Sequence, residues 1–220
     1  MFTRKDLIKE TLIPCHIVIR TIRDLPVFLE QEDCFRFVFQ MYAANIGKPG
    51  LNLHRKDINK AATDLLGGRN LSSDLVRIEH NPLVNIISFA LAENHAHFIL
   101  SANEKEGILK FISKLNLGFA KYYNIKNNRK GVLFNRPFKI IPIHGNYQLN
   151  TVVCYVNIKT PLEMTESIKD YPFSSFLDLF GPRESKLTAP KSTIKYLGIN
   201  FENIDKYLNK LKFKDPIFLD

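Results

Sequence analysis

The stretch Asn94-His95-Ala96-His97-Phe98-Ile99-Leu100 carries two imidazoles two residues apart in an otherwise largely apolar setting. In a strand, successive side chains point to opposite faces, so His95 and His97 share one face while Ala96, Phe98 and Leu100 take the other. Two imidazoles held this way form a bidentate metal site, and a divalent ion there can polarise a scissile phosphate. Two partly buried histidines with unrelated partners would leave the same pattern. Tyr155, within Val152-Val153-Cys154-Tyr155-Val156-Asn157-Ile158, is the second candidate. A phenolate can attack phosphorus and keep the bond energy as a covalent phosphotyrosine. On an apolar helix, a tyrosine is otherwise a core residue with its hydroxyl at the surface.

The elements that must carry these groups follow from periodicity. Cys15 to Ile22 is rich in β-branched residues and reads as a strand, and residues 31–44, with Phe35, Val38, Phe39 and Tyr42, as an amphipathic helix. Residues 45–80, broken by Gly47, Pro49, Gly50 and Gly67-Gly68, read as an insertion around a short helix at 55–66. Residues 86–91 and 95–101 read as a hairpin turning at Glu93-Asn94. A long helix over 104–124, a strand over 138–143 and a helix over 147–159 complete the order. This predicts an α+β protein built on a ferredoxin-like split β-α-β sandwich, a four-stranded antiparallel sheet with helices, plus a C-terminal helix bearing the tyrosine. Residues 1–183 are expected to form the main domain. Residues 184–220 are read as an extension with a short helix around 201–212.

The formal net charge is +9 over 220 residues, which points to a polyanionic partner, nucleic acid before a membrane surface. Residues 104–139 alone carry nine basic residues against Glu104 and Glu106. Tyr122, Tyr123, Phe134 and Phe138 are interleaved with them, as in a groove where cations meet phosphates and rings meet unstacked bases. A solvated helix face with Phe111, Leu115 and Phe119 in the core fits the same residues. Seventeen Phe and eight Tyr exclude a disordered chain. Cys15, Cys34 and Cys154, odd in number and widely spaced, indicate neither a disulfide framework nor a structural zinc site. No apolar window approaches the length of a membrane span and the charged N-terminus is no signal peptide, so a cytoplasmic location without membrane contact is expected.

Taken together, these stretches resemble the single-tyrosine HUH transposases of the insertion sequence 200-like group, and in particular their REP-associated branch. The resemblance runs through Cys15-His16-Ile17-Val18-Ile19-Arg20, Phe28-Leu29, the histidine pair, Tyr122-Tyr123-Asn124, the segment Gly131 to Lys139, Cys154-Tyr155-Val156 and the segment Asp170 to Phe176. It spans about residues 12–180, with 45–80 longer than the compact family pattern. It implies that His95 and His97 hold Mg²⁺ or Mn²⁺ against the scissile phosphate of single-stranded or hairpin DNA, and that Tyr155 attacks to give a 5′-phosphotyrosine. A released 3′-hydroxyl later reverses the step to join strands. Arg129, Lys130, Arg136 and Lys139 are then phosphate contacts, and a homodimer is the expected assembly.

The chain also departs from the family within its motifs. Ala96, a small departure, occupies the position between the histidines where the family has a hydrophobic residue. Four residues after the tyrosine, where the family has an Asn or Gln metal ligand, stands Lys159, whose ammonium has no lone pair to donate. A non-catalytic DNA-binding derivative of such a transposase is therefore the competing reading, with a metal hydrolase using only the histidines as a third.

Overall fold

The computed structural model describes residues 13–51 and 53–192. Its centre is a four-stranded sheet of β1 (Cys15–Arg20), β4 (Val84–Leu91), β5 (His95–Ala102) and β6 (Lys139–Pro142). The strand order is β4-β5-β1-β6 with every neighbouring pair antiparallel. Together with the helix α1 (Gln31–Ile46) between β1 and β4, and α3 (Gly107–Lys126) between β5 and β6, this is the expected split β-α-β sandwich. The expected helix over 55–66 is α2 (Arg55–Leu66). It is flanked by a short ribbon of β2 (Gly47–Pro49) and β3 (Val76–Ile78), which the sequence did not reveal.

Alternation along the strands divides the sheet into two chemically different faces. Cys15, Ile17, Ile19, Ala96, Phe98 and Leu100 turn to the face covered by α1 and α3, where Phe37 and Phe119 form the centre of the main core. Their rings meet edge to face with centroids 5.0 Å apart. Such a pair adds about 0.5–1.5 kcal/mol beyond area burial. At Gly118 a Cβ would meet the end of the Gln40 side chain, so the glycine leaves room for that buried amide between α1 and α3. Ile58, Ala61, Ala62 and Leu65 of α2 join the same core, so the insertion extends the helical layer on the face away from the histidines.

The second face is covered by the helix α4 (Gly145–Cys154) and its continuation. Leu149, Val152, Val153 and Val156, spaced as one stripe of a helix, pack on Ile87, Ala90 and Ile99. A bulge between Ile86 and Ser88 lets β4 serve both faces. Ile86 and Phe89 stay in the main core, while Ile87 turns to the tyrosine helix and Ser88 hydrogen-bonds to it.

Beyond α4 the chain forms a π-helical turn, Tyr155–Lys159, and a last α-helical turn, α5 (Thr160–Leu162). Pro161 explains the widening: in an α-helix its ring would press on the carbonyl of Asn157. The Thr160 amide instead donates to the Tyr155 carbonyl, five residues back. Residues 173–175 then run beside β4, with the Leu91 amide donating to the Phe173 carbonyl and the Ser175 amide to the Phe89 carbonyl. After α6 (Phe176–Phe180), Arg183 donates to the buried Asp178 carboxylate, and Leu187 reaches the main core. The helix expected around 201–212 lies outside the described residues. No helix among the described residues is long and apolar enough to cross a membrane.

Candidate active site

β5 turns His95, His97 and Ile99 to the face covered by the tyrosine helix. In the register, Ala90, Val18 and Lys139 stand in line with His97, and Arg20 stands opposite His95. The histidine face is therefore rimmed by two cations. His95 and His97 meet edge to face, with ring centroids 4.8 Å apart.

Each histidine is held at its δ nitrogen. His95 Nδ1–H donates to Asn94 Oδ1 at 2.7 Å, and His97 Nδ1 lies 2.9 Å from His16 Nε2. The His16 and His97 rings lie nearly parallel and meet through these two nitrogens, with centroids 5.1 Å apart and planes inclined by 11°. Burial, reinforced by His16, His95, Arg20 and Lys139, holds the His97 pKa well below the ordinary histidine value. A neutral imidazole is the form that binds metal.

Tyr155 is 2% exposed, on the same chain as the histidines. Its ring stands edge-on to His97 at a centroid distance of 5.5 Å and to His16 at 6.4 Å. The Lys159 ammonium lies 5.3 Å from the Tyr155 ring centroid, a cation–π distance. The helix is fixed to the sheet by a buried polar network. Asn157 Nδ2 donates to Ser88 Oγ at 2.7 Å and to the Val153 carbonyl at 2.8 Å, and Ser175 Oγ donates to Asn157 Oδ1 at 2.6 Å. An open depression of about 360 Å³, lined by Arg20, Glu93, Asn94, His95 and Glu163, adjoins the site.

With both δ nitrogens engaged, a metal would be bound by the ε nitrogens of this pair. His97 Nε2 is buried and has no hydrogen-bond partner among the described residues, as suits a ligand atom. The histidines thus fit the imidazole part of a divalent-metal site. Asn157 cannot extend the set, because its amide is used in the network, and Lys159 has no lone pair. No group of three His, Cys, Asp or Glu among the described residues could hold a metal ion.

The basic segment divides in two. Lys110 is paired with Glu104, and Lys126 with Glu30 and Asp33, on the helix that covers the opposite face. Arg129 braces the turn after α3 by donating to Asn124 Oδ1 and the Val132 carbonyl. Lys130 and Arg136 are exposed, and Lys139 is half-buried on the histidine face. The loop between them is pinned to the end of β1, where the Asn135 amide donates to the Arg20 carbonyl at 2.8 Å. His16 and Arg20 were not singled out as site residues by sequence reasoning. Their spacing with Val18 shows that the three share a face, but only the β1–β5 register shows that it is the histidine face.

The protein family described as "Transposase IS200 like" matches residues 69–159. One solved structure, described as "Structure of the REP associates tyrosine transposase bound to a REP hairpin", is similar at 13% identity and a TM-score of 0.48, covering 77% of this chain and 80% of that one. Among curated proteins none matches the chain in sequence. The resemblance to IS200-like transposases, first carried by separate motifs, is thereby shown over one contiguous stretch that contains His95, His97 and Tyr155.

Proposed function

We propose that this protein binds single-stranded or hairpin DNA and cuts and rejoins it through a Tyr155 phosphotyrosine. The observation that carries the reading is the Tyr155 ring 5.5 Å from the His97 ring, within the stretch matched by the transposase family. His95 and His97 would hold a divalent ion through their ε nitrogens. Imidazole donors favour Mn²⁺ over Mg²⁺, which prefers oxygen ligands. When bound, the ion supplies positive charge that polarises the phosphate.

The chain's own residues supply the rest. The Tyr155 oxygen bonds to phosphorus as its proton departs, and the bond from phosphorus to the 3′ oxygen breaks. That oxygen takes up a proton and leaves as a 3′-hydroxyl, while the 5′ phosphate stays on tyrosine. Attack by a 3′-hydroxyl reverses the sequence and rejoins a strand without outside energy. Lys139 and Arg20 flank the histidines and would neutralise phosphates on either side of the reacting one, with Arg129, Lys130 and Arg136 along the approach. The Tyr155 ring lies beside His97 of its own chain, so we read the site as assembled in cis, with the expected homodimer adding DNA-binding surface. Acting on DNA in this way fits a cytoplasmic location.

The test uses 3′-labelled hairpins with randomised single-stranded flanks, Mn²⁺ and denaturing electrophoresis. A protein-linked band whose phosphonucleotide maps to Tyr155 is the expected result. Failure to retain DNA at low salt would sink the proposal. Lys139→Ala is expected to weaken binding to all sequences alike and to reduce the slope of log K against log salt by about 1. An unchanged slope would remove Lys139 from the interface.

The Lys159 ammonium beside Tyr155 favours a second reading, in which DNA is bound but not cut. In that case the wild-type protein retains DNA without adduct. Lys159→Gln, which removes the charge and supplies an amide oxygen, is then expected to recover cleavage.

A further inference from the structure

Resting on the function proposed above, we propose that His16 is the positioning residue for His97: it accepts the His97 Nδ1 proton and so fixes the tautomer whose Nε2 lone pair faces outward for metal. The paired histidines are held in the same way. Each is engaged at Nδ1, His95 by the Asn94 amide oxygen at 2.7 Å and His97 by His16 Nε2 at 2.9 Å. Asn94 Oδ1 can only accept, which determines the His95 tautomer. The His16 contact is an equivalent constraint with a different acceptor.

A neutral His97 has one ring proton to distribute. If that proton sits on Nδ1, it enters the bond to His16 and Nε2 carries the lone pair. If His16 Nε2 is the donor instead, His97 Nε2 is protonated and cannot be a ligand. Ligand histidines generally donate their other ring N–H to an oriented acceptor, and loss of that acceptor weakens metal binding by about 10- to 100-fold. His16 suits the task because it is fully buried and its ring is nearly parallel to that of His97. It also stands edge-on to Tyr155, so a single side chain borders both the histidine pair and the nucleophile.

Long-range ¹H–¹⁵N correlation spectra of the metal-free protein report the tautomer directly. The wild type is expected to show His97 protonated at Nδ1. Protonation at Nε2 would overturn the proposal without recourse to any variant. Mn²⁺ binding, followed by the electron paramagnetic resonance of the free ion, is expected to weaken at least tenfold in His16→Phe and to recover in His16→Gln, whose amide oxygen can accept in the same region. Circular dichroism confirms that each variant is folded. Undiminished Mn²⁺ affinity in folded His16→Phe, with the His97 tautomer unchanged, would also overturn it. If the wild type binds no Mn²⁺ but loss of His16 shifts the His97 tautomer, the positioning role stands and the metal-dependent reading of the site fails.

Discussion

Tyr155→Phe is expected to abolish the covalent protein–DNA adduct, a loss on the order of 10³-fold or more, while leaving DNA binding within about threefold of wild type. The two effects separate because the phenol oxygen is the bond-forming atom, whereas the ring makes the packing contacts. The edge-on contacts with His97 and His16 and the Lys159 cation–π contact all involve the ring and are kept by phenylalanine. Stability is expected to change by no more than about 1 kcal/mol. No neighbouring group takes over as nucleophile. The adjacent Cys154 thiol is pushed up to about 12 by burial, and Cys15 up to about 11, so both remain protonated near neutrality. Electrophoresis of the adduct and filter binding of the same labelled DNA measure the two quantities side by side. An adduct that persists in the variant would assign the chemistry to another residue.

Asn157→Leu is expected to lower stability by roughly 2–4 kcal/mol, read as a fall in the urea midpoint at constant slope. The side chain is fully buried, and leucine matches its shape closely enough that the cost is chiefly polar. Ser88 loses the donor at 2.7 Å and Ser175 loses its acceptor at 2.6 Å. The two hydroxyls still have each other at 3.1 Å, and Ser175 can turn to the Phe89 carbonyl, which limits the penalty. Removing the whole network at once, with Ser88→Ala and Ser175→Ala added to Asn157→Leu, is expected to recover part of the loss, since buried hydroxyls no longer lack partners. A change below about 1 kcal/mol in the single variant would mean that the network does not hold the tyrosine helix to β4.

The order of elements was legible because β-branched runs, one hairpin and two long helices follow one another along the chain. The facing of His95 and His97 opposite Phe98 and Leu100 followed from simple strand alternation. The β2–β3 ribbon was not legible, since Gly47, Lys48 and Pro49 have none of the residues that mark a strand. Nor was the bulge, because Ile86-Ile87-Ser88-Phe89 gives no local sign that two neighbours share a face. The role of Asn157 was hidden as well. Its position two residues after Tyr155 looks unremarkable in sequence, and its partners lie 69 and 18 residues away. The charge reading left two alternatives for residues 104–139, a nucleic-acid groove and a solvated helix face. The helix follows the second, with Lys110 and Lys126 held in ion pairs on the opposite layer. Of that segment, the loop and Lys139 carry basic groups toward the histidines, where Arg20 joins them.

The pairing of residues 173–175 with β4 also limits how copies of this chain can associate. An open sheet has two flanks onto which a foreign strand can add, and proteins that must stay apart commonly block both. Here one flank is closed by the chain's own return segment, through Phe173 and Ser175. The other is β6, only four residues long, with Lys139 at its start and Pro142, which has no amide hydrogen to offer, at its end. Extension of the sheet from one molecule into the next is disfavoured at both flanks. The homodimer proposed above is expected to be made through helices or loops rather than by extending the sheet.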